Sequence, residues 1–308
     1  MTDEERHQVV IVGGGPAGVA CALECFDVQL DTVLLDAGPA PGGQLGEIPH
    51  VVHNVVFAGF VRGPDLQEEL RRSSTLLGDR VRSGVRVTGV DLGALRVEAG
   101  DRHFCADALV VATGSARRQL RAAPDGACGG DVTYQVERRP GRFAGRPVAV
   151  VGGGDSAVLD ALELAGAGSP VMLLHRSEDL TARLDLIRAQ RGQPLIEDLP
   201  GWEVEAVHGT DRLERIDIAH RRTGERRVAV VGGLVVKISS APATDVFAGQ
   251  LELDPTGGIV VDGSMRTSRP GVFAAGDVTA GSYPRIATAL GQGSLAAWSV
   301  LRHLEGRS

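Results

Sequence analysis

The hydrophobic positions of this chain follow a pattern that occurs twice. An apolar run at residues 9–12 stops at the glycines 13–15 and resumes at residues 19–23, which predicts a strand, a tight turn and a helix. The same succession returns at residues 148–164. A further apolar run follows each copy, so the pattern predicts two βαβ repeats, which are typical of an α/β fold.

The remaining periodicity predicts the other elements. Residues 38–54 are rich in proline and glycine and predict a loop, whereas residues 64–77 and 285–304 have the spacing of amphipathic helices. Residues 237–245 predict a crossover connection. Further strands are predicted at residues 33–35, 81–90, 95–99, 103–104, 108–114, 171–174, 202–207, 213–219, 226–236 and 270–277.

The first repeat has the features of a dinucleotide site. Gly13 allows a tight turn, Gly15 lets the backbone approach a pyrophosphate, and Gly18 lets the helix lie close to the strand. Asp36 lies 23 residues after Gly13 at the end of the second apolar run, and its carboxylate can accept hydrogen bonds from ribose hydroxyls. The alternative is an ordinary glycine-rich turn.

The second repeat differs at the position that contacts the ribose. His175, followed by Arg176, lies 23 residues after Gly152, where the first repeat has its acid. A carboxylate suits a free 2′-hydroxyl, whereas an arginine suits a 2′-phosphate. We therefore expect an FAD-like nucleotide in the first repeat and a nicotinamide nucleotide in the second, with NADP as a candidate.

The last predicted strand also ends in an acid. Asp277 follows Gly276 directly after an apolar run, where its carboxylate is well placed to bind a ribityl hydroxyl. The helix that follows would bring its positive N-terminus toward the same ligand and stabilise negative charge on a reduced flavin.

Length and charge exclude several classes of protein. A chain of 308 residues predicts two domains, and a net charge of −7 gives no general attraction to nucleic acid or to an anionic membrane. Residues 1–8 lack the pattern of a signal peptide, and no apolar run is long enough to span a bilayer. We therefore expect a cytoplasmic protein without nucleic-acid or membrane partners, and no pattern predicts a metal site.

The four cysteines show neither a secreted disulfide framework nor a CxxC pair. Cys21 and Cys25 lie four residues apart on the first predicted helix, where small apolar cysteines usually fill a core, and redox action is the alternative. Cys128 has no partner within ten residues on either side. We predict that no cysteine, Cys105 included, is an obligatory redox shuttle.

Six motifs taken in order resemble those of the low-molecular-weight thioredoxin-reductase-like flavoproteins, which include thioredoxin reductases, ferredoxin–NADP reductases of the thioredoxin-reductase type and small-molecule dithiol oxidases. The resemblance covers nearly the whole chain. The motifs are Gly13-x-Gly15-Pro16-Ala17-Gly18, Gly42-Gly43-Gln44, Ala112-Thr113-Gly114, Gly152-Gly153-Gly154-Asp155-Ser156-Ala157, His175-Arg176 and Ala274-Ala275-Gly276-Asp277.

The resemblance implies an α/β fold of two Rossmann-like three-layer dinucleotide-binding domains, the second inserted into the first. The FAD-binding domain would comprise residues 1–118 and 244–308, and an NAD(P)H-binding-like domain would comprise residues 119–243. The resemblance also implies FAD as the cofactor, with NAD(P)H as a further candidate, and a homodimer.

Site residues are likewise implied by the resemblance. The implied FAD contacts are Gly13, Gly15, Pro16, Ala17, Gly18, Asp36, Ala37, Gly43, Gln44, Leu45, Asn54, Ala112, Thr113, Gly114, Gly276, Asp277, Arg285, Ile286 and Ala287. The implied NAD(P) contacts are Gly152, Gly154, Asp155, Ser156, Ala157, His175, Arg176 and Arg183.

Two histidines are candidates for proton transfer. His50 and His53 lie in the loop after Gly42-Gly43-Gln44, which resembles the family segment that runs beside the isoalloxazine. Because histidine changes charge near neutral pH, we predict that one of them supplies a proton near the flavin. The alternative is that both are loop histidines that contact backbone.

The chain departs from the family at its cysteine positions. Residues 134–147, which precede the second glycine motif where thioredoxin reductases carry a CxxC pair, contain no cysteine. Ala17 stands where relatives that resemble bacillithiol disulfide reductases place a cysteine. Both departures argue against the thiol mechanisms of those relatives.

The nucleotide motif of the second repeat also departs from the family. The usual HRRxxxR clamp for NADP reads His175-Arg176-Ser177 here, and Arg183 is the next basic residue. Ser239 stands where the family's crossover has a glycine, and its side chain would crowd the nucleotide. We therefore expect weaker NADPH binding, or a domain that no longer binds nucleotide.

Three functions from different classes follow. The favoured one is an FAD-dependent oxidoreductase that acts at the flavin on a small molecule, for example a thiol or dithiol, with oxygen or NAD(P)H as redox partner. The second is a ferredoxin– or flavodoxin–NADP reductase, the branch that residues 132–136 resemble most. The third is a non-catalytic flavin-binding protein.

Overall fold

The chain divides into two compact units. A computed structural model describes residues 3–48, 51–56, 58–134, 141–238 and 240–306. The terminal unit contains Met1–Ala116 and Ala241–Ser308, and the inserted unit contains Arg117–Ser240. Each unit has its own sheets and its own apolar cores.

The elements of the described residues are as follows. The strands are β1 (Asp3–Val12), β2 (Thr32–Asp36), β3 (Val51–Val52), β4 (Val61–Arg62), β5 (Val81–Ser83), β6 (Gly89–Asp91), β7 (Arg96–Ala99), β8 (Arg102–Val111), β9 (Ser115–Arg117), β10 (Val132–Thr133), β11 (Val148–Val151), β12 (Val171–His175), β13 (Ile196–Pro200), β14 (Trp202–His208), β15 (Arg215–His220), β16 (Arg226–Ala229), β17 (Gly233–Val236), β18 (Ser240–Pro242) and β19 (Val272–Ala274). The helices are α1 (Pro16–Asp27), α2 (Gly63–Ser74), α3 (Ala127–Gly130), α4 (Asp155–Gly166), α5 (Leu184–Arg191) and α6 (Ile286–Leu304).

The sheet of the terminal unit is organised around β1. Parallel strands follow the order β5-β2-β1-β8-β19, and an antiparallel meander of β6 and β7 continues from the start of β8. Val9 and Ile11 on β1 face a core with α1 and α6, whereas Val10 and Val12 face a core with the meander. Both faces of β1 are buried at residues 9–12, which explains the continuous apolar run there.

The inserted unit repeats this architecture. Its parallel strands follow the order β13-β12-β11-β17-β10, with helix α4 packed on one face and the antiparallel strands β14, β15 and β16 on the other. The order β13-β12-β11-β17 in this unit corresponds to the order β5-β2-β1-β8 in the terminal unit. Two Rossmann-like three-layer units, one inserted into the other, confirm the predicted fold class.

Several predicted strand boundaries are wrong. The predicted strands at 103–104 and 108–114 form the single strand β8, because β1 pairs with it from Asp3 to Val12. The predicted strand at 226–236 divides into β16 and β17, which belong to different sheets. The predicted strand at 81–90 likewise divides into β5 and β6. A run of apolar residues does not show where a chain leaves one sheet for another.

Two smaller differences concern helices and loops. The predicted helix at 64–77 ends as an α-helix at Ser74 and continues as the 3₁₀ helix Thr75–Arg80. The predicted loop at 38–54 contains the 3₁₀ helix Gly43–Glu47 and strand β3. Among the described residues, no helix has the length and apolarity to cross a membrane, and no cluster of three or more potential metal ligands occurs.

Candidate dinucleotide sites

The turn between β1 and α1 lies at the carboxyl end of the parallel sheet. β1 stands between β2 and β8, where the strand order reverses, and ligands of such sheets bind in the crevice at this point. Gly15 is the N-cap of α1, and Pro16 begins the helix with the backbone angle that a first turn requires. The first turn of α1 carries no acidic side chain, so its positive end is available to an anion.

The three glycines of this turn meet different surroundings. Gly13 has φ +112°, and a Cβ there would collide with the carbonyl of Ala112. A Cβ on Gly18 would collide with the carbonyl of Gly13. By contrast, the nearest atom to a Cβ on Gly15 would be the Cα of Gly43, 4.0 Å away. Packing therefore requires Gly13 and Gly18, whereas the space beside Gly15 is open, as the predicted approach of a pyrophosphate requires.

Asp36 lies against the same turn. It ends β2, and a Cβ on Gly14 would collide with its carboxylate. Its Oδ1 accepts a hydrogen bond from the Gly38 N–H at 3.1 Å, which fixes the direction of the carboxylate. Ala37, the next residue, is exposed. The structure thus places Asp36, which is predicted to bind the ribose, beside the turn that is predicted to bind the pyrophosphate.

The Gly42–Leu45 loop and the end of β8 complete this face. The Gly42 N–H donates to the Gly14 carbonyl at 2.8 Å, and Gln44 Nε2 donates to the Ser115 carbonyl at 2.7 Å. Thr113, beyond β8, donates its hydroxyl to the Ala243 carbonyl at 2.8 Å. These bonds hold the loop and the two connections at the carboxyl end of the sheet.

Asp277 is a half-buried carboxylate after β19. It forms no hydrogen bond or ion pair with any residue that the structure describes, and burial raises its pKa above the ordinary 3.8. The adjacent Gly276 N–H donates to Gln292 Oε1 on α6 at 2.8 Å, which ties this corner to the helix. A half-buried carboxylate without a partner among the described residues is suited to a ligand hydroxyl, as the ribityl chain of FAD would supply.

The N-terminus of α6 lies near an apolar groove of the terminal unit. Arg285 is the N-cap of α6, and its guanidinium stacks over the Tyr283 ring at 4.3 Å. Pro16, Leu45 and Ile286, three of the predicted cofactor contacts, line a groove of about 370 Å³ between α1, α2 and α6. Ala287 is exposed in the first turn.

The two candidate histidines have different outcomes. His50 lies outside the described residues. His53 is exposed just beyond β3, beside exposed Asn54, and its ring centroid lies 6.3 Å from that of Phe60. Within the described structure it forms no hydrogen bond, so the contact with backbone that we gave as the alternative is not seen for His53.

The glycine turn between β11 and α4 repeats the first. Gly152 has φ +143°, and a Cβ there would collide with the Lys237 carbonyl. A Cβ on Gly154 would have Thr181 Oγ1 at 3.9 Å as its nearest atom, so this glycine faces open space as Gly15 does. Ala157 takes the place of Gly18, and Asp155 begins α4. This turn also leaves room for a pyrophosphate.

The residues at the end of β12 are engaged with one another. His175 is 3% exposed, and its Nε2 lies 3.0 Å from Asp198 Oδ1. Arg176 and Ser156 are exposed. The Arg183 N–H donates to Asp155 Oδ1 at 2.8 Å. Arg176, one of the residues predicted to bind NAD(P), has no ion-pair partner among the described residues.

Two features of this site were missed in the sequence. Asp198 follows no motif and reaches His175 only because β13 pairs with β12. Lys237 Nζ forms a buried ion pair with Asp160 Oδ2 at 3.1 Å, directly behind the glycine turn. The signal for the second feature was present, since Asp160 interrupts an apolar helical stripe.

The glycine turns at residues 13–15 and 152–154 each have open space beside their last glycine, Gly15 or Gly154. Each turn lies where the strand order of a parallel sheet reverses, and together they define a protein with two dinucleotide-binding units. Residues 7–293 match the sequence profile of the family described as pyridine nucleotide-disulphide oxidoreductase. The chain belongs to this family.

The chain is similar to several thioredoxin reductases. It is 32% identical to that of Listeria innocua, over 99% of this chain and 96% of the relative, and 33% identical to that of Streptomyces clavuligerus, over 97% and 94%. The crystal structure of the Lactococcus lactis thioredoxin reductase superposes with a TM-score of 0.84 at 28% identity, over 97% of this chain and 99% of that one.

These comparisons confirm the thioredoxin-reductase-like resemblance. The family consists of FAD-dependent oxidoreductases, so the predicted FAD cofactor is confirmed as that of the family. The open glycine turn and the unpartnered Asp277 carboxylate of the terminal unit are consistent with it.

Proposed function

We propose that this chain is an FAD-dependent oxidoreductase that acts on a small molecule, with thiols and dithiols as the favoured class, and that it uses no redox-active cysteine pair of its own. The observation that carries the proposal is the placement of its four free cysteines. None of them is in a position to relay electrons from a flavin to a protein disulfide.

Cys21 and Cys25 lie on the buried face of α1, within the core of the terminal unit. Both side chains are 0% exposed. The hydrogen bond with Cys25, together with burial, raises the pKa of the Cys21 thiol well above its ordinary 9.0. The same hydrogen bond lowers the pKa of the Cys25 thiol. Because neither buried thiol has access to a disulfide substrate, this pair is suited to packing and not to exchange.

The other two cysteines are isolated. Cys105 lies six residues before the end of β8, about 20 Å along the strand from the carboxyl end of the sheet. Cys128, in the inserted unit, is buried and directs its thiol to the Gly209 carbonyl at 3.3 Å. Burial raises the pKa of both thiols. Neither thiol is activated as a nucleophile.

In this proposal a domain of residues 1–118 and 244–308, whose bounds lie within three residues of those of the terminal unit, holds FAD, and residues 119–243 hold a pyridine nucleotide. When bound, FAD supplies a two-electron acceptor for the oxidation of a dithiol to its disulfide. Gly15 and the N-terminus of α1 would hold the pyrophosphate, Asp36 the ribose and Asp277 the ribityl chain. His53 would supply a proton near the flavin.

Two competing functions use protein substrates. The relatives carry the name thioredoxin reductase, and reduction of thioredoxin by this chain is one alternative. Electron transfer to ferredoxin or flavodoxin is the other, suggested by the motif resemblance. Both need a protein partner, whereas the favoured function needs only a small molecule.

The test is anaerobic reduction of the FAD-loaded protein followed by its flavin absorbance. The reductants are dithiothreitol, NADH and NADPH, and the acceptors are thioredoxin, ferredoxin and flavodoxin. We expect bleaching by dithiothreitol and slow transfer to all three proteins. Rapid turnover with NADPH and one of the proteins, together with no reaction with dithiothreitol, would show that the proposal is wrong.

The matched variant carries Cys21→Ala, Cys25→Ala, Cys105→Ser and Cys128→Ser, in which the last change preserves the hydrogen bond to Gly209. We expect it to retain FAD and to be reduced by dithiothreitol within about twofold of the wild-type rate. Loss of this reduction with FAD still bound would show that a cysteine of the chain takes part in electron transfer to the flavin.

A further inference from the structure

The charged side chains around the end of β12 determine which nucleotide the inserted unit accepts. We propose that this unit binds NADH in preference to NADPH. The inference rests on the part of the proposed function that places a pyridine nucleotide at the glycine turn before α4. It is carried by the partners of His175 and Arg183 and by the local balance of charge.

His175 occupies the same place in its unit as Asp36 does in the other. A Cβ on Gly153 would lie 3.2 Å from the Cβ of His175, and a Cβ on Gly14 would collide with the Asp36 carboxylate. The side chain at the end of the second strand therefore lies against the middle glycine in both units. At this position of such folds the side chain meets the adenosine ribose.

Both ring nitrogens of His175 are engaged. Nε2 lies 3.0 Å from Asp198 Oδ1, and Nδ1 lies 3.4 Å from the Ser177 hydroxyl. The imidazole is consequently not free to hold a phosphate, and it brings a carboxylate and a hydroxyl to the ribose position. Those groups can exchange hydrogen bonds with a 2′-hydroxyl.

The guanidinium of Arg183 also interacts with carboxylates of the protein. Its Nε lies 3.8 Å from Asp155 Oδ2, and its Nη2 lies 3.2 Å from Asp185 Oδ2. Its backbone N–H is bonded to Asp155 as well. The two carboxylates partly neutralise this guanidinium, which weakens its attraction to a 2′-phosphate.

The local charge is negative. Residues 176–185 and the ion-pair partners of residues 175–185 comprise three arginines and five carboxylates, a net of −2 (3 − 5). The members are Arg176, Arg183, Arg222, Glu178, Asp179, Asp155, Asp185 and Asp198. A 2′-phosphate carries about two negative charges at pH 7 and is repelled here, whereas a hydroxyl is not.

Arg176 is the remaining basic side chain. It is exposed and directly follows β12. Its planar guanidinium can stack on an adenine ring, which both nucleotides possess. Arg176 therefore supports binding of the adenosine without requiring a phosphate at the 2′ position.

The test measures binding and not turnover. NAD⁺ and NADP⁺, which cannot reduce the flavin, are titrated calorimetrically into the FAD-loaded protein. We expect a Kd for NAD⁺ at least about tenfold lower than that for NADP⁺. A lower Kd for NADP⁺, or no binding of either nucleotide, overturns the inference. Reduction by dithiothreitol is measured on the same sample, so failure here is distinguishable from failure of the proposed function.

A charge variant tests the physical cause. Glu178→Arg replaces a carboxylate by a basic side chain at the exposed turn after β12 and leaves the Ser177 hydroxyl in place. We expect the Kd for NADP⁺ to fall by about tenfold or more and that for NAD⁺ to stay within about twofold. The control, Glu214→Gln, lies in the exposed loop between β14 and β15, at the opposite end of β15 from the turn that carries Arg222, and should leave the ratio unchanged. A ratio that Glu178→Arg leaves unchanged overturns the electrostatic explanation.

Discussion

Replacing Gly15 by alanine should separate cofactor binding from folding. Gly15 has φ −76°, which any residue adopts, and the nearest protein atom to the new methyl group would be 4.0 Å away. At the N-cap of α1, alanine is a poorer residue than glycine by some tenths of a kcal/mol, but it lowers the entropy of the unfolded chain by a similar amount. The folded apoprotein should therefore unfold within about 2 °C of the wild type.

The same methyl group would occupy the space in which the pyrophosphate approaches the backbone. Loss of one hydrogen bond to a charged phosphate costs about 1.5 to 3 kcal/mol, which corresponds to about a 10- to 150-fold increase in Kd. Titration of the apoprotein with FAD, followed by quenching of flavin fluorescence, measures this increase. An unchanged Kd would refute the position that we assign to the pyrophosphate.

Two further glycines provide matched controls. Gly13→Ala places a side chain at φ +112° and against the Ala112 carbonyl, so it should reduce the yield of folded protein and not merely weaken FAD. Gly154→Ala places a methyl group in the open space of the inserted unit, at φ −93°. It should leave the Kd for FAD unchanged and weaken the pyridine nucleotide instead.

Three other predictions concern single groups. Burial alone would raise the pKa of Asp131, but hydrogen bonds from Arg146 and from backbone outweigh it and lower this pKa below the ordinary 3.8. The carboxylate therefore stabilises the inserted unit at pH values above 3.8, and this contribution is lost as the pH falls through the lowered pKa. Asp131→Asn should cost about 2 to 3 kcal/mol at pH 7 and flatten the acid limb of a urea-denaturation series, and an unchanged acid limb would contradict this. Lys237→Met removes the ion pair with the buried Asp160 and should lower the free energy of unfolding by about 3 kcal/mol. Adding Asp160→Leu should recover most of this loss in the same denaturation assay, and a double variant no more stable than the single one would contradict the prediction. His53→Ala should lower turnover about 100-fold, and an unchanged turnover would exclude His53 as the proton donor.

The glycine turns could be predicted from the sequence because each turn is a local structure. The strand before Gly13, the helix after it and the offset to Asp36 lie within a few dozen residues, and the repeat at Gly152 presents the same pattern. The backbone angles of Gly13 and the open space at Gly15 agree with the roles that their spacing predicts.

The sequence by itself determined the two repeats, their fold class and the residue types at their turns, since hydrophobic period and glycine position act over short stretches of chain. Only the tertiary structure decided which of these residues are available to a ligand. Pairing of β13 with β12 brings Asp198 to His175, and the position of the segment before α5 beside the first turn of α4 brings Arg183 to Asp155. No described residue forms a hydrogen bond or ion pair with Asp277. Such contacts join residues whose approach depends on strand order and helix packing, and a linear pattern of residues does not contain that information.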